Sequence, residues 1–456
     1  MLHSFRESLL PIEKPTTIAE MIGSWFGLAG LYLFSFFSLL SIAGANIGLG
    51  LMIIGLMLSK QAWRVLLRQW ITWICLLMIA YVILRAYWSL GEIAAERETQ
   101  LNQARDWVLL FLFFIPAWWL SQAKQRIPIS ITLMFGGFAL GMITALDGET
   151  LSQILQGARS GLHFGKPVIM GFDCAAAILG VTALAIHWLD ARQEKGRLTT
   201  AVRLSLTLLA LLFFAQGLII SQSRGVWLAI LFALPSLFLT LRYATPRRRQ
   251  NGRIGLRYPV IGLAAIAALS LALNWNTISQ RIASESEGWS TIVSQGLDEA
   301  PLDASSYRLH LWQFGLRKWL ERPFFGWGPG TTHALVEAED SIKLQDPPGS
   351  SLDHLHNAYL EVVFQLGLFG ILLIALLSGA LISKLVESYT KRRLSIYFLA
   401  FLASNFMLIA IYSLTDFRHL HWNWRFYWLI IAGASLAFDL AGRKTAAPRM
   451  DHGQTD

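Results

Sequence analysis

The sequence predicts an all-α polytopic membrane protein with about twelve transmembrane helices and one large, partly helical loop outside the membrane. Of its 456 residues, 54% are hydrophobic and only 15% are charged, and the mean hydropathy is +0.48. Those values exclude an ordinary soluble domain, in which about a quarter of the residues carry charge. The net charge of +9 therefore bears on how the chain sits in a membrane, and nucleic acid is not expected as a partner.

Apolar segments follow one another through almost the whole chain. Their approximate bounds are 21–42, 44–59, 70–90, 106–121, 128–146, 168–189, 203–221, 225–241, 256–274, 357–383, 394–414 and 422–441. The first predicts a retained membrane helix, because the preceding residues lack the order of a signal peptide and Thr17-x-x-Glu20 is typical of a helix start. Cys75 and Cys174 both lie inside apolar segments, so no disulfide framework and no cysteine metal site are predicted.

The positions of Lys and Arg predict the orientation of the chain. With both termini in the cytoplasm, most of the 38 basic residues fall on the cytoplasmic side, as the positive-inside rule requires. Most of the ten histidines then fall on the outer side. The predicted organisation is transmembrane helices 1–9 in residues 1–274, an outer loop domain in 275–353, transmembrane helices 10–12 in 354–445 and a cytoplasmic tail in 446–456.

The outer loop is long enough to have structure of its own. Apolar residues at Leu309, Trp312, Leu316 and Trp319 predict an amphipathic helix that lies over the membrane surface and ends before Pro323. The run 326–330, Gly-Trp-Gly-Pro-Gly, predicts a tight turn with its tryptophan in the membrane interface. Thr331 or Thr332 would then cap a short helix. The run lacks the Lys-Ser/Thr ending of a nucleotide-binding loop, so nucleotide binding is not expected.

The stretch 353–361, Asp-His-Leu-His-Asn-Ala-Tyr-Leu-Glu, lies where this polar loop ends and an apolar helix begins. It places polar groups at the membrane–water boundary, since an imidazole buried in lipid is unfavourable. At helical spacing, His356, Gly367 and Gly370 share one stripe, on which the glycines would let a neighbouring helix approach closely. The simpler interpretation is a helix N-cap at His356 above a packing face.

Outer cations predict a site for a phosphate-bearing headgroup. Arg224 lies in a three-residue turn between two apolar segments, and the loop 147–167 adds Arg159, His163 and Lys166. An arginine presents a planar fork that fits two phosphate oxygens. The alternative for each of these residues is a side chain that only reaches the lipid headgroups.

Two acidic patterns are candidates for a metal site, and each has a simpler explanation. Asp147-Gly148-Glu149 resembles the acidic pairs that bind divalent cations, but it also fits a turn at the start of a loop. Asp416, His419 and His421 would make a two-histidine, one-carboxylate set, but they also fit an interface turn. The prediction is therefore no metal and no cofactor. Few ionisable residues lie in mid-membrane, Asp173 being the main exception, which argues against an ion-coupled transporter.

The chain resembles the O-antigen ligase family (WaaL), within the superfamily that also contains O-antigen polymerases. The family motif His-[Asn/Ser/Gln]-x9-Gly-x-x-[Gly/Thr/Tyr] is met by His356, Asn357, Gly367 and Gly370. The motif Arg-x3-Leu is met by Arg224 and Leu228. The loop stretch from Arg308 through Trp312 to Pro323 is also similar, and so is the Gly-Trp-Gly turn that follows it. The resemblance extends over nearly the whole chain, including the large loop, which it implies is periplasmic.

The resemblance implies transfer of a glycan from undecaprenyl diphosphate to lipid A–core at the periplasmic face of the inner membrane of a Gram-negative bacterium. It implies inversion at the anomeric carbon without metal or ATP, and membrane lipids as surroundings. His356 would act as general base, since an ordinary imidazole pKa near 6.5 suits that task. The remaining expected site residues are Arg224, Arg159, Lys166 and His163 on the diphosphate, Arg308 on a phosphate or sugar, and Asp353, His354 and Asn357 as supports of His356.

Other activities remain open from the sequence. A polymerase would use the same chemistry with a second lipid-linked glycan as acceptor. A protein O-oligosaccharyltransferase would accept a serine or threonine hydroxyl. A transporter or flippase would need a polar path through the bilayer, for which the apolar segments contain too few polar residues.

Overall fold

The computed structural model describes residues 17–93, 97–190, 197–244, 257–283, 286–299, 304–339 and 354–444. Those residues are predominantly helical and form no β-strand, which confirms the predicted all-α class. Asp353 and the predicted tail at 446–456 lie outside the described residues.

Nineteen α-helices follow one another through the described residues. In chain order they are α1 Ile18–Phe37, α2 Ile42–Met57, α3 Lys60–Leu66, α4 Trp70–Glu92, α5 Arg97–Leu110, α6 Phe114–Ser121, α7 Arg126–Thr144, α8 Gly148–Leu155, α9 Pro167–Asp190, α10 Arg197–Ile220, α11 Arg224–Tyr243, α12 Arg257–Leu273, α13 Trp275–Ala283, α14 Ser286–Gln295, α15 Ala304–Glu321, α16 Thr332–Glu337, α17 Ala358–Thr390, α18 Ile396–Tyr412 and α19 Trp422–Lys444. Short 3-10 turns lie at Leu162–Phe164 and Leu297–Glu299.

The helices match the predicted membrane segments in position. Among the described residues, eight helical spans are long and apolar enough to cross a membrane, counting α5 and α6 together as one. The pair α2 and α3 makes a ninth if it is counted as one span, although it is bent by 94°. Two shorter apolar helices, within α12 and at α18, and the helix α19 occupy the remaining predicted segments. The chain is therefore a multi-pass membrane protein.

The first helix begins where its cap predicts. The Thr17 hydroxyl oxygen accepts a hydrogen bond from the Glu20 backbone N–H at 3.2 Å, which satisfies one of the free donors at the helix start. Ser41 and Ser59 cap α2 and α3 in the same way. The sharp change of direction between α2 and α3 thus falls where a new cap starts a new helix.

Packing of α11 along α18 decides where the candidate site forms. These two helices lie side by side over much of their length. The start of α11 therefore lies beside the loop that follows α18. The approach is close at Gly225, where a Cβ would overlap the Thr415 hydroxyl. The Arg224 turn and the 413–421 loop are thus neighbours although nearly two hundred residues separate them in the chain.

The predicted amphipathic helix of the outer loop is present as α15, and it ends at Glu321, just before Pro323, as predicted. Leu311 and Phe314 pack with Leu355 and Phe364, whereas Leu316, on the face predicted to lie over the membrane, is 49% exposed. The helix therefore packs on the protein through one apolar face, and contact of the second face with the membrane stays a prediction.

The Gly-Trp-Gly turn packs on α17, and its tryptophan ring lies beside Arg322. The Trp327 indole N–H donates to the Lys318 carbonyl at 2.8 Å, and the Arg322 guanidinium lies 4.1 Å from the ring centroid. Thr331 occupies the N-cap position of α16, but its hydroxyl donates to the Gly328 carbonyl instead of capping. The turn is therefore held by Lys318 and Arg322 before it and by the backbone of α17.

The long helix α17 is broken at Gly367, whose φ of 65° and ψ of −171° are not helical. The break frees backbone N–H and C=O groups, and inside a membrane these groups need hydrogen-bond partners. Residues 323–328, between α15 and α16, provide them. The bonds run from Trp327 N to Phe364 O (2.8 Å), from Gly328 N to Gln365 O (2.9 Å), from Leu368 N to Pro323 O (2.8 Å) and from Phe369 N to Phe324 O (3.1 Å).

This break changes the interpretation of the predicted glycine stripe. A Cβ at Gly367 would overlap the Phe324 carbonyl, so the close neighbour is the turn after α15 and not another helix. At Gly370 the nearest side chain is Leu366 of the same helix. The prediction of a continuous packing groove is therefore wrong. Gly367 adopts a positive φ, and its lack of a side chain lets the backbone at Phe324 approach closely.

Candidate functional site

Asn357, and not His356, is the N-cap of α17. Its side-chain oxygen accepts from the Leu360 N–H at 3.1 Å, and its side-chain nitrogen donates to the Leu414 carbonyl at 3.3 Å. The Ala358 N–H donates to the Ser413 carbonyl at 2.8 Å. The start of α17 is thus bound to the end of α18, and the His356 ring is left for another contact.

The His356 imidazole pairs with Asp416. Its Nδ1 lies 3.2 Å from Asp416 Oδ1, and the side chains are 24% and 6% exposed, respectively. Asp416 also accepts from the Phe417 N–H at 2.8 Å and lies 3.5 Å from Arg418 Nε. An ionised carboxylate only accepts hydrogen bonds, so Nδ1 carries a proton, and in the neutral imidazole Nε2 is then the nitrogen that can accept one.

Asp416 is ionised in this setting. Burial by itself would raise the pKa of the carboxyl, but the hydrogen bond from His356 and the charge of Arg418 hold it well below its usual range. Sequence reasoning assigned Asp416 to a possible metal site with His419 and His421. Its partner is instead a histidine sixty residues earlier, and no spacing rule in one sequence relates two such loops.

His354 supports the backbone of His356. Its Nδ1 accepts a hydrogen bond from the His356 N–H at 3.2 Å, and the two rings meet edge to face at 4.3 Å. Burial, with the nearby His356 and Arg418, lowers the pKa of His354 well below its usual value. A neutral, buried ring can accept this hydrogen bond permanently, so His354 stabilises the loop.

Glu361 is a buried carboxylate that sequence reasoning did not select. It accepts from the Leu355 N–H at 2.6 Å, from the Thr332 hydroxyl at 2.5 Å and from the Gln365 side chain at 2.6 Å. It thereby ties the loop before α17 to α16 and to its own helix. Its place in the first turn of an apolar helix was the available signal, because a carboxylate entering a membrane needs partners.

The cation-bearing loops meet beside this pair. Arg159 Nε donates to the Ser221 carbonyl at 3.0 Å, and Gln222 donates to the Gly157 carbonyl at 2.9 Å, so the loop after α8 is fastened to the turn before Arg224. Lys166 lies close enough to contribute to lowering the pKa values of His354 and His421. Three of the predicted phosphate-binding cations thus come from segments that converge on the 413–421 loop.

The other predicted site residues lie farther out. The His163 ring lies against Gly141 near the end of α7, and burial lowers its pKa. Arg308 is half-buried on α15, one turn before Trp312, whose indole N–H donates to the Leu355 carbonyl at 3.0 Å. Arg418, which sequence reasoning passed over, lies directly beside Asp416.

The residues of the two candidate metal sets make other contacts. Asp147 caps α8 through the Thr150 N–H at 2.7 Å, a bond that lowers its pKa, in agreement with the simpler explanation. His419 Nε2 lies 3.0 Å from the Ser413 hydroxyl, and burial lowers the pKa of His419 to about 3. Within the described chain, the ligand atoms that do converge belong to His354, His356 and Asp416, within 4.8 Å of one another.

Residues 207–375 match the family model described as O-antigen ligase. This segment of the chain is therefore similar to the O-antigen ligase family. The matched segment extends from α10 into α17 and includes Arg224, Arg308, His356 and both motif glycines. The resemblance derived from the motifs is thereby confirmed over this segment. No curated protein matches the chain. Domains of the O-antigen ligase family handle lipid-linked glycans in a membrane, which gives the substrate class.

Proposed function

We propose that this protein transfers a glycan from undecaprenyl diphosphate to lipid A–core, with His356 as the general base. The observation that carries the proposal is the pairing of His356 with the buried carboxylate of Asp416 beside several cations. A carboxylate on one ring nitrogen fixes the tautomer and stabilises the imidazolium that forms when the other nitrogen takes a proton. The O-antigen ligase domain supports the substrate class.

The reaction is a displacement at the anomeric carbon of the donor sugar. The acceptor hydroxyl oxygen forms the new bond to that carbon, and the bond from the carbon to the diphosphate oxygen breaks. The hydroxyl proton passes to His356 Nε2, and the diphosphate leaves with the bonding electrons. Attack from the face opposite the leaving group inverts the configuration. Protein groups provide the base and the positive charge opposite the diphosphate, so the proposed reaction is metal-independent and needs no cofactor.

The cations stabilise the departing diphosphate, on which negative charge develops. Arg224 provides a planar fork, and Arg159 and Lys166 add charge from the loop fastened to the same turn. Arg418 extends this positive surface to the carboxylate that orients the base. Arg308 approaches from α15 and is assigned to a phosphate or sugar of the donor.

An apolar groove supports a polyprenyl lipid as the carrier. A cavity of about 470 Å³ lies between α9, α10, α11 and α12. Trp227 and Leu218 line it, and Trp227 lies one turn after Arg224. The isoprenoid chain would lie in this groove with its diphosphate at the Arg224 turn, since such a chain gains by leaving water and fits an apolar wall.

The orientation of the chain completes the proposal. Both termini lie in the cytoplasm and the His356 end of the bundle faces the periplasm of a Gram-negative bacterium. The support is the excess of Lys and Arg on the opposite ends of the helices and the need of such a ligase to meet its lipid A–core acceptor outside the cytoplasm.

Reconstitution with defined acceptors tests the function. The purified full-length protein receives a lipid-linked O-antigen donor, EDTA, and one of three acceptors: lipid A–core, a second lipid-linked glycan or a serine-bearing peptide. Transfer to lipid A–core is the expected result. Preferential extension of the second lipid-linked glycan would make the protein a polymerase, and transfer to the peptide would make it a protein glycosyltransferase. Activity that is lost in EDTA and restored by Mg²⁺ would contradict the metal-independent reaction.

A further inference from the structure

A second pocket lies away from His356, between the end of α4 and the turn after α15. It has a volume of about 460 Å³, and its walls include Leu84, Arg85, Trp88, Glu92, Arg322 and Phe325. Neither the 354–357 loop nor the 413–421 loop contributes to its lining. We refer to these six residues and the space between them as the flank pocket.

The flank pocket carries a net positive charge. Arg322 Nη1 bonds to Glu92 Oε2, and Arg85 Nη2 lies 3.7 Å from the same oxygen. The Trp88 indole N–H donates to the other oxygen at 2.5 Å. One carboxylate thus faces two guanidinium groups, and its two oxygens already have partners, so one positive charge remains for a ligand.

Of the two guanidinium groups, only that of Arg322 is accessible. Arg85 donates to the Phe325 carbonyl at 3.0 Å and to the Gly326 carbonyl at 2.7 Å, and its side chain is 8% exposed. The Arg322 side chain is 34% exposed and lies over the Trp327 ring. Arg85 therefore holds the turn in place, whereas Arg322 presents charge to the outside.

The apolar wall of the pocket opens toward lipid. Leu84, Trp88, Phe324 and Phe325 are each more than half exposed, and α4 is one of the helices long and apolar enough to cross the membrane. Large apolar side chains exposed on a membrane span face acyl chains. The charged end of the pocket lies where α4 ends, which is the depth of the lipid headgroups.

We propose that the flank pocket binds the headgroup of an anionic phospholipid, with the phosphate on Arg322 and an acyl chain along Leu84 and Phe325. A single accessible cation and one uncompensated charge match a single phosphodiester. Arginine is suited to this contact because its fork can bond two phosphate oxygens. The proposed site is separate from glycan transfer and does not rest on the proposed function.

Lipid binding by the intact protein tests the proposal. Native mass spectrometry of the detergent-purified full chain would measure binding of phosphatidylglycerol, with phosphatidylcholine as the zwitterionic comparison. Arg322→Gln should weaken phosphatidylglycerol binding about tenfold, the loss expected for a charge-assisted hydrogen bond. Arg322→Lys should keep part of it. Glu92→Gln should strengthen it, since the pocket then carries a second uncompensated charge.

A matched control lies on the same segment. Arg317 of α15 is 60% exposed and pairs with Glu339 at 2.5 Å, so Arg317→Gln removes a surface charge five residues away and should leave phosphatidylglycerol binding unchanged. Equal binding by wild type and Arg322→Gln would overturn the proposal, and so would equal affinity for phosphatidylcholine. Lipid A bound more tightly than phosphatidylglycerol through Arg322 would also overturn it, because the ligand would then be a phosphorylated glycolipid.

Discussion

His356 has a backbone conformation that few histidines adopt, with φ near 52°. Such a left-handed conformation costs roughly 1–3 kcal/mol in a residue other than glycine. Three contacts hold it: the His354 ring accepts its N–H, Asp416 binds its side chain, and Asn357 starts the helix directly after it. Strain retained at one residue by several partners is typical of a functional position, which supports the assignment of His356 as the base.

Replacement of Asp416 tests how the base is oriented. Asp416→Asn keeps the size of the side chain but removes the charge that fixes Nδ1–H and stabilises an imidazolium. Turnover should fall by roughly 10²–10⁴-fold, within the range for general-base catalysis, while the affinity for the lipid-linked donor stays near that of wild type. Transfer and donor binding would be measured on the same folded preparation. Normal turnover would show that His356 does not need this carboxylate.

Arg224→Lys tests whether geometry or only charge matters at the diphosphate. Lysine keeps the charge but loses the two-pronged fork, and a charge-assisted hydrogen bond contributes about 1.5–3 kcal/mol. At about 1.4 kcal/mol for each factor of ten, transfer should fall roughly tenfold or more. Initial rates at saturating acceptor would measure it. A wild-type rate would mean that a diffuse positive potential suffices.

At the scale of the helix, the break in α17 connects the segment between α15 and α16 to the membrane bundle. The turn 323–328 and the segment around Gly367 exchange backbone hydrogen bonds, and Tyr81 of α4 donates to the Leu366 carbonyl at 2.6 Å. A helix without the break would offer no free N–H or C=O to the loop. The motif glycine therefore fixes how α15 sits over the bundle, and with it the position of the 354–357 loop.

Two glycines of α17 make a matched test of this break. Gly367→Ala puts a Cβ into the Phe324 carbonyl at a positive φ, so the free energy of unfolding should fall by more than about 1 kcal/mol. Gly379→Ala meets open space within the same helix and should be neutral or slightly stabilising, since alanine favours helix. Thermal unfolding of both variants in detergent would decide. Equal stabilities would mean that Gly367 tolerates a side chain.

The sequence predicted the helices far better than the contacts between them. Hydropathy located each of the twelve segments, and Thr17 and Pro323 placed the ends of helices correctly, because these signals act within a few residues. The pairing of His356 with Asp416 depends on how α11, α17 and α18 pack, which no local pattern encodes. The Gly367 spacing fitted a packing stripe as well as a break, so the pattern alone could not separate them.

At the scale of the whole molecule, three histidines with lowered pKa values gather at one end of the bundle. Burial lowers the pKa values of His354 and His419, and burial together with Arg418 and Lys166 lowers that of His421 to about 4. In the unfolded chain these rings would take up protons near pH 6.5. The low pKa of Asp416 also makes the folded state bind fewer protons than the unfolded state. This effect appears below about pH 4, where an unfolded Asp is protonated and the folded one is not.

Acid should therefore destabilise the fold. Below about pH 6.5 the unfolded state binds more protons than the folded state, so stability falls as the pH is lowered, by up to about 1.4 kcal/mol per pH unit for each of these histidines. The unfolding temperature in detergent should be lower at about pH 5.5 than at about pH 7.5. His421→Asn removes one of the rings and should lessen the difference. An unfolding temperature that is constant or rises on acidification would contradict the burial of neutral rings.

His356→Asn tests whether His356 removes the acceptor proton. Asparagine retains polarity and tolerates the left-handed backbone conformation, so the loop and its contacts to α18 should persist. The measurement is glycan transfer by purified, folded His356→Asn, with donor binding as the check on the site. We expect turnover reduced roughly 10²–10⁴-fold with donor binding retained, and turnover near that of wild type would contradict the assignment of His356 as the general base.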